Sequence, residues 1–266
     1  MAIERFPTEG GGMRYVFEPG RQFERPAWPA GAAQTECANW IESAANDYSQ
    51  YLDEVDIVIQ DQRLSSFGKE ERLVVKHGGI LESVSKLRGA IDHYSAGWDK
   101  IERDLYQVPE LTNDAGQAAI DIEVRQWWRG MSSTERTQYL QALSQPDNNL
   151  GRIRLALLRS PIAVLDHELT VVREAWNAEK RALQPAIAES IDTARQTIAT
   201  AEVAAAHLGG MAMVSTQWDS DRIASHLLGS TNEFARRGYR VFGIGDEGMA
   251  RAKRIAEGRR YIKAAA

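Results

Sequence analysis

With 266 residues, 43% of them apolar and 26% charged, the chain has an ordinary composition for a globular protein and can bury a core as one large domain or two small ones. Its single cysteine, Cys37, excludes an intramolecular disulfide framework and a cysteine-based zinc site. The net charge of −5 is unevenly spread: residues 221–266 hold ten basic and five acidic side chains, so that end carries +5 and the remainder −10. Such a basic end suits an anionic partner, either nucleic acid or an acidic protein face.

No charged-then-apolar signal segment opens the sequence. The weakly polar stretch 201–214 contains His207 and two glycines and falls short of the roughly 20 apolar residues that span a bilayer. A soluble protein of a reducing compartment, without a membrane partner, is therefore expected.

Residues 1–35 hold four of the eight prolines and the run Gly10-Gly11-Gly12, which no regular helix survives. They also carry Phe6, Tyr15, Phe17, Phe23 and Trp28, aromatics that disordered linkers usually lack. The expectation is an extended arm whose aromatics anchor it, on a neighbouring subunit or on the chain's own body.

A helical hairpin is predicted over 36–108. One seam runs Ile41, Ala45, Tyr48, Leu52, Val55, Ile59, Gln62, and a second Leu73, His77, Ile80, Val84, Leu87, Ile91, Tyr94, Trp98, Ile101, Leu105, Val108. Steps of four and three give the 3.5-residue period of helices in a left-handed supercoil. Ser65-Ser66-Phe67-Gly68-Lys69 is the connection, which makes the pair antiparallel. His77 lies in the seam, where a polar residue commonly sets register.

Pro109 stops the second helix, and a knot of short helices is predicted over 109–161. Thr112-Asn113-Asp114 caps a helix to about Arg129, Ser132 to Glu135 starts the next, Pro146-Asp147-Asn148 turns, and Ile153, Leu157 and Leu158 mark a third. A long helix, kinked or broken at Pro185, occupies 162–210 and ends at Gly209-Gly210. The tail, 211–266, reads as a helix from about 220 to 236, a β-prone piece Tyr239-Arg240-Val241-Phe242, and a basic helix from about 246 to 261.

Chemistry-bearing motifs are few. Gly243-Ile244-Gly245-Asp246-Glu247-Gly248 matches the dinucleotide-binding G-x-G-x-x-G pattern. Its context argues against that use: no second strand or acidic ribose partner follows, and Asp246 and Glu247 put negative charge where a pyrophosphate would sit. A turn with Asp246 capping the last helix is expected instead. The five histidines never pair at i,i+4, so no helix-borne metal pair is expected. Asp166-His167-Glu168 cannot converge on a substrate, because consecutive helical residues point apart. Trp127-Trp128 between Arg125 and Arg129 has the makings of a base-stacking platform, but helical spacing favours one tryptophan in the core and one partly covered. The candidate anion or nucleic-acid contacts are Arg251, Arg254, Arg259, Arg260 and Lys263 of the last helix.

The stretch Glu123-Val124-Arg125-Gln126-Trp127-Trp128-Arg129-Gly130-Met131-Ser132, then Glu135-Arg136, then Arg152 to Pro161 (RIRLALLRSP), resembles a pattern in uncharacterised helical proteins encoded by bacteriophages and prophages. Over residues 75 to 185 the order is similar: a coiled segment, an arginine-and-aromatic helix, a Ser-x-x-Glu-Arg cap and a leucine helix ending in proline. The resemblance implies a virion or assembly component and brings no catalytic residues.

The resulting expectation is an all-α protein: a long coiled-coil-like antiparallel hairpin plus a helical bundle, with an extended N-terminal arm. It would be a non-enzymatic structural component of a phage particle or its precursors, without cofactor or metal. Its location would be the virion or the host cytoplasm, as a homo-oligomer touching other assembly proteins through Phe6, Tyr15, Phe17, Phe23 and Trp28. The alternatives are a nucleic-acid-binding or packaging accessory using the basic tail and, less favoured, a nucleotide-binding enzyme using loop 243–248.

Overall fold

The computed structural model describes residues 3–18, 20–29, 34–111, 115–143, 150–159 and 164–264, without the side chains of 34–35 and 258–264. The predicted cap at 112–114 and turn at 146–148 lie outside these residues. The fold is mainly α-helical: among the described residues, ten α-helices accompany one three-stranded sheet. The chain divides into two compact units, Met1–Trp98 with Asp192–Ala266, and Asp99–Ile191.

In the first unit the N-terminal arm is a sheet of its own. Strands β1 (Glu4–Pro7), β2 (Met13–Glu18) and β3 (Arg21–Arg25) pair antiparallel in chain order. Gly10-Gly11-Gly12 makes the first turn, with Gly11 at φ +74°, and Gly20 at φ +82° serves the second. These left-handed conformations cost glycine little and other residues much. The period of two puts Tyr15, Phe17 and Phe23 on one face, where all three are buried. Tyr15 stacks on Phe23 at 4.6 Å, and Phe17 meets Tyr48 edge-on at 4.9 Å.

The hairpin forms from α1 (Gln34–Gln60) and α2 (Ser66–Tyr106). Its seam holds in the middle: Ile41, Ala45, Tyr48, Ile80, Val84, Leu87 and Ile91 are all buried. At the distal end it drifts, since Ile59 is 53% exposed whereas Tyr51 and Val58 are buried. A straight helix of 3.6 residues per turn slips about 20° per heptad against a 3.5 repeat, enough to carry the buried line off Ile59. His77 finds its partner across the seam: the Tyr51 hydroxyl and His77 Nδ1 lie 2.9 Å apart in a hydrogen bond. α2 is buried on more than the seam, with Leu81 and Ser85 also inaccessible, because further helices cover it.

Those helices come from the C-terminal third. The rod expected over 162–210 is two helices, α6 (Asp166–Leu183), belonging to the second unit, and α7 (Pro185–Thr216). α7 runs straight through Gly209-Gly210. Its end is marked instead by Gln217 at φ 54°, with the Trp218 amide donating to Thr216 Oγ1. Gly209 is needed for packing: a Cβ there would come 2.7 Å from the Val241 carbonyl oxygen. By length and composition α7 could cross a membrane. In this fold its stripe Ala194, Ile198, Ala201, Ala204, Ala205, Leu208 and Ala212 is buried in the helical core.

The helix predicted over 220–236 is broken into α8 (Ser220–Leu228) and α9 (Glu233–Arg237). Asn232 stops and restarts the chain, accepting from the Ala235 amide at 3.2 Å. Tyr239 to Phe242 is not β: Gly238–Phe242 is a 3-10 turn. A strand needs a neighbour for its backbone, and this segment instead drives Phe242 into the core. α10 (Asp246–Ala264) then packs against α8 through Met249 and Ala252.

The second unit holds α3 (Ala115–Gly130), α4 (Ser133–Leu143), α5 (Gly151–Leu158) and α6, with the flanking ends of α2 and α7. Its core is Trp128, Leu140, Leu143, Leu157, Leu158, Val164, Val172 and Trp176. Ser132 and Glu135 cap α4 reciprocally: the Glu135 amide donates to Ser132 Oγ at 3.3 Å and the Ser132 amide to Glu135 Oε2 at 2.8 Å.

Candidate protein-contact surfaces

The arm aromatics have different fates. Tyr15, Phe17 and Phe23 are consumed by the chain's own core, with the Tyr15 hydroxyl donating to Glu42 Oε1 of α1 at 2.5 Å. Burial, then that carboxylate, raises the pKa of this phenol. Trp28 is half-buried under the Arg25 guanidinium at 4.7 Å, and Phe6 alone of the five stays open, at 49% exposure. Three of the expected partner contacts are therefore intramolecular. The alternation of Tyr15, Phe17 and, across the turn, Phe23 was the available sign: a period of two with all aromatics on one face is a sheet seeking a floor.

Of the expected anion contacts, Arg251 is ion-paired with Asp221, and Arg254 is exposed on α10. The side chains of Arg259, Arg260 and Lys263 lie outside the described residues. Two further tail arginines are also engaged: Arg240 with Asp246 at 3.0 Å and Arg237 with Glu233. The Asp246 carboxylate at the end of the glycine loop is engaged by the Tyr239 hydroxyl and by Arg240, which hold it below its usual pKa. Gly243 there is a left-handed stop at φ +67°, and Ile244 is buried, so the loop serves as the turn into α10.

The dyad-like triplet separates as expected. His167 faces outward, while Glu168 turns inward to accept from Trp128 Nε1 at 3.2 Å and from the Leu165 amide at 3.2 Å. Trp128 is fully buried; Trp127 is 40% exposed and meets Tyr139 edge-on at 4.8 Å. Among the described residues no three histidine, cysteine, aspartate or glutamate side chains gather in a way that could hold a metal. Cys37 is fully inaccessible, its thiol pushed up to about 11 chiefly by burial and next by Glu36, which leaves little thiolate at neutral pH.

Two surfaces of the first unit do present chemistry. One is the distal end of the hairpin. Ile57, Phe67 and Val75 are 68%, 69% and 71% exposed there, beside Ile59. Ile57, Val58 and Val75 frame a cleft of about 550 Å³ with Glu54, Glu71, Arg72 and Lys76 on its edges. Glu54 and Lys76 bridge α1 and α2 at 2.9 Å. Exposed large apolar residues are normal singly, but several at one tip make a sticky patch.

The other is a groove of about 610 Å³ along α1 and α2, closed at one side by Asn232 and Phe234. Its floor is apolar, with Ala44 and Leu87 buried and Trp40 set edge-on to Tyr94 at 6.0 Å and 84°. Its rim carries Glu36, Asp47 and Glu82 against Lys86 alone among the permanently charged cations. Periodicity could not have found this groove, because Glu36, Asp47 and Glu82 lie off the seam and are assembled by the pairing of the two helices. Comparison with protein-family models, curated proteins and solved structures finds no match to this chain.

Proposed function

We propose that the protein is a non-catalytic assembly component, a bacteriophage virion or morphogenesis protein, that works through protein–protein contacts with itself and with other particle proteins. The observation that carries this reading is the hairpin tip, where Ile57, Phe67 and Val75 stand more than two-thirds exposed on a rigid two-helix rod. Leaving three such side chains in water forgoes roughly 1.5–3 kcal/mol of burial for each, which a partner surface recovers. The resemblance over 75–185 points to the same class of role. The inward capping role of Glu168 and the ion-paired glycine loop supply no competing chemistry.

The test is made on particles and their precursors, purified on density gradients from cells that express the gene. Mass spectrometry is expected to find the chain in one of these fractions. The variant Ile57→Ser/Phe67→Ser/Val75→Ser, expressed at the normal level and folded by circular dichroism, is expected to be missing from it. A chain absent from particles and precursors alike, or a triple variant incorporated as well as the parent, overturns the proposal.

A further inference from the structure

The basic end of the chain sorts into cations that are engaged and cations that are not. Arg222 lies over the Trp218 ring at 4.3 Å, and Arg237, Arg240 and Arg251 are ion-paired with Glu233, Asp246 and Asp221. Arg236, Lys253 and Arg254 are exposed and, among the described residues, form no ion pair. Lys253 and Arg254 open the last turns of α10, where Arg259, Arg260 and Lys263 follow against Glu257 alone. Five cations and one acid give residues 253–264 a charge of +4. Four of the five acids between 221 and 266 precede Gly248, and Asp246 and Glu247 sit about 18 Å or more along the helix from position 259. That exceeds the Debye length of about 8 Å at physiological salt, so they do not neutralise the far end.

The packing of α10 ends where this charge begins. Its inward line runs Met249, Ala252 and Ala256 in steps of three and four; the first two are buried and the third half-buried. The same steps continue to positions 259 and 263, where the sequence has arginine and lysine. An apolar core does not accept them, since an unpaired charge is among the costliest groups to bury. At 3.6 residues per turn, positions 253 and 260 share one side, 254 another, and 259 and 263 a third. The cations therefore encircle the helix instead of forming one stripe. A flat membrane or an acidic protein face meets one side of a helix. The major groove of a DNA duplex, about 12 Å wide, admits an α-helix and has phosphates along both walls. Residues 253–264 rise about 18 Å, which follows the groove past about five base pairs.

We infer that residues 253–264 of α10 form a binding site for double-stranded DNA, the helix lying in the major groove with its cations on the phosphates of both walls. Arginine, at 254, 259 and 260, suits this use because its planar fork holds a phosphate by two hydrogen bonds. The acidic remainder of the chain, at −10, confines the contact to this end.

The full chain is titrated against a fluorescein-labelled duplex of about 20 base pairs, and binding is read by anisotropy. Five phosphate contacts predict a loss of about five-hundredfold in affinity between about 50 and 200 mM salt. Lys253→Gln/Arg254→Gln removes two of them at exposed positions and is expected to cut that loss to about fortyfold while weakening binding at the lower salt. Arg237→Gln, at a cation already paired with Glu233, is expected to bind like the parent. A duplex left unbound at about 50 mM salt overturns the inference. So do two variants that behave alike, because that assigns binding to the basic end as a whole or to neither. A single strand of the same length that binds as tightly as the duplex overturns the groove geometry. Vesicles of phosphatidylserine and phosphatidylcholine bound in place of the duplex overturn the choice of DNA. Every outcome leaves the tip reading untouched, since Ile57, Phe67 and Val75 are unchanged in each sample.

Discussion

Where α2 meets the C-terminal helices, backbones touch. A Cβ on Gly89 would lie 2.1 Å from the Phe234 carbonyl oxygen, and one on Gly238 would lie 1.8 Å from that of Ser85. The Ser85 hydroxyl in turn donates to the Ala235 carbonyl at 2.6 Å, and His226 Nε2 donates to the Gly78 carbonyl at 3.1 Å. Within the unit Asp99–Ile191 the helices are tied by long polar side chains instead. Arg159 reaches Asp121 at 3.1 Å and the Pro109 carbonyl at 2.8 Å; Arg154, 1% exposed in its side chain, reaches Glu179 at 3.3 Å. Trp176 Nε1 donates to the Tyr106 carbonyl at 3.1 Å. The difference follows from helix length. α1, α2 and α7 are long enough to present continuous stripes of small and apolar residues, so close packing dominates their contacts. In this unit long side chains also satisfy backbone groups at helix ends: Trp176 and Arg159 take the Tyr106 and Pro109 carbonyls at and just beyond the end of α2, and Glu168 takes the Leu165 amide at the start of α6.

Substitutions that attack each mode of cohesion separate the two. The largest effect is expected for Gly238→Val, which forces backbone apart at Ser85; overpacking of this kind costs about 3 kcal/mol or more and releases the C-terminal helices. Hydrogen exchange is expected to rise across 218–257 while α3 to α6 keep their protection, and unchanged exchange in 218–257 would break the comparison. Glu168→Ala comes next. It strips the acceptor from Trp128 Nε1 and the Leu165 amide and leaves Arg136 without the carboxylate 3.4 Å away, at a cost of about 2–4 kcal/mol. The loss is expected in the exchange of Asp99–Ile191, with α1 and α2 up to Trp98 unaffected; Glu168→Gln, which keeps one acceptor, should recover part of it.

The smallest effect is a pH dependence confined to the first unit. Burial, and next the Arg222 charge, hold His77 below its ordinary pKa of 6.5. The groups facing it are the Tyr51 hydroxyl of α1 and, from the C-terminal third, Trp218 beneath Arg222. The unfolded chain therefore binds a proton at His77 more readily than the folded one. The stability this neutral imidazole confers is complete above pH 6.5 and is lost as pH falls below it, toward the folded value. His77→Gln should flatten the dependence of the melting temperature between pH 7 and 5. An unaltered slope would remove His77 as its source.

The same contrast accounts for what could be read from the residues in order. Seam positions such as Ile41, Tyr48, Val84 and Ile91 are legible because burial in a long helix repeats, and the capping box at Ser132 and Glu135 is legible because its partners are three residues apart. The drift at Ile59 was not, because it accumulates over the whole rod. Nor was the continuation of α7 through Gly209-Gly210: a glycine pair reads locally as a stop, and only the Val241 carbonyl facing Gly209 shows it to be a packing contact. Of the candidate contact residues, Arg254 was legible as an exposed cation, whereas Tyr15, Phe17 and Phe23 could be assigned to the core only once α1 lay beneath their sheet.

The sequence by itself determined the helical class, the hairpin and the separation of acidic body from basic end; it placed the hairpin connection at Ser65 to Lys69, whereas α2 already begins at Ser66 and the connection is 61–65. These depend on periodicity and on local backbone preference, which neighbouring residues carry in full. Only the tertiary structure decided which aromatics are core and which basic residues are already ion-paired. It also decided that Glu36, Asp47 and Glu82 line one groove with an apolar floor. Those facts depend on pairs of residues distant in the chain, and the free energy of such pairs exists only once the helices have met.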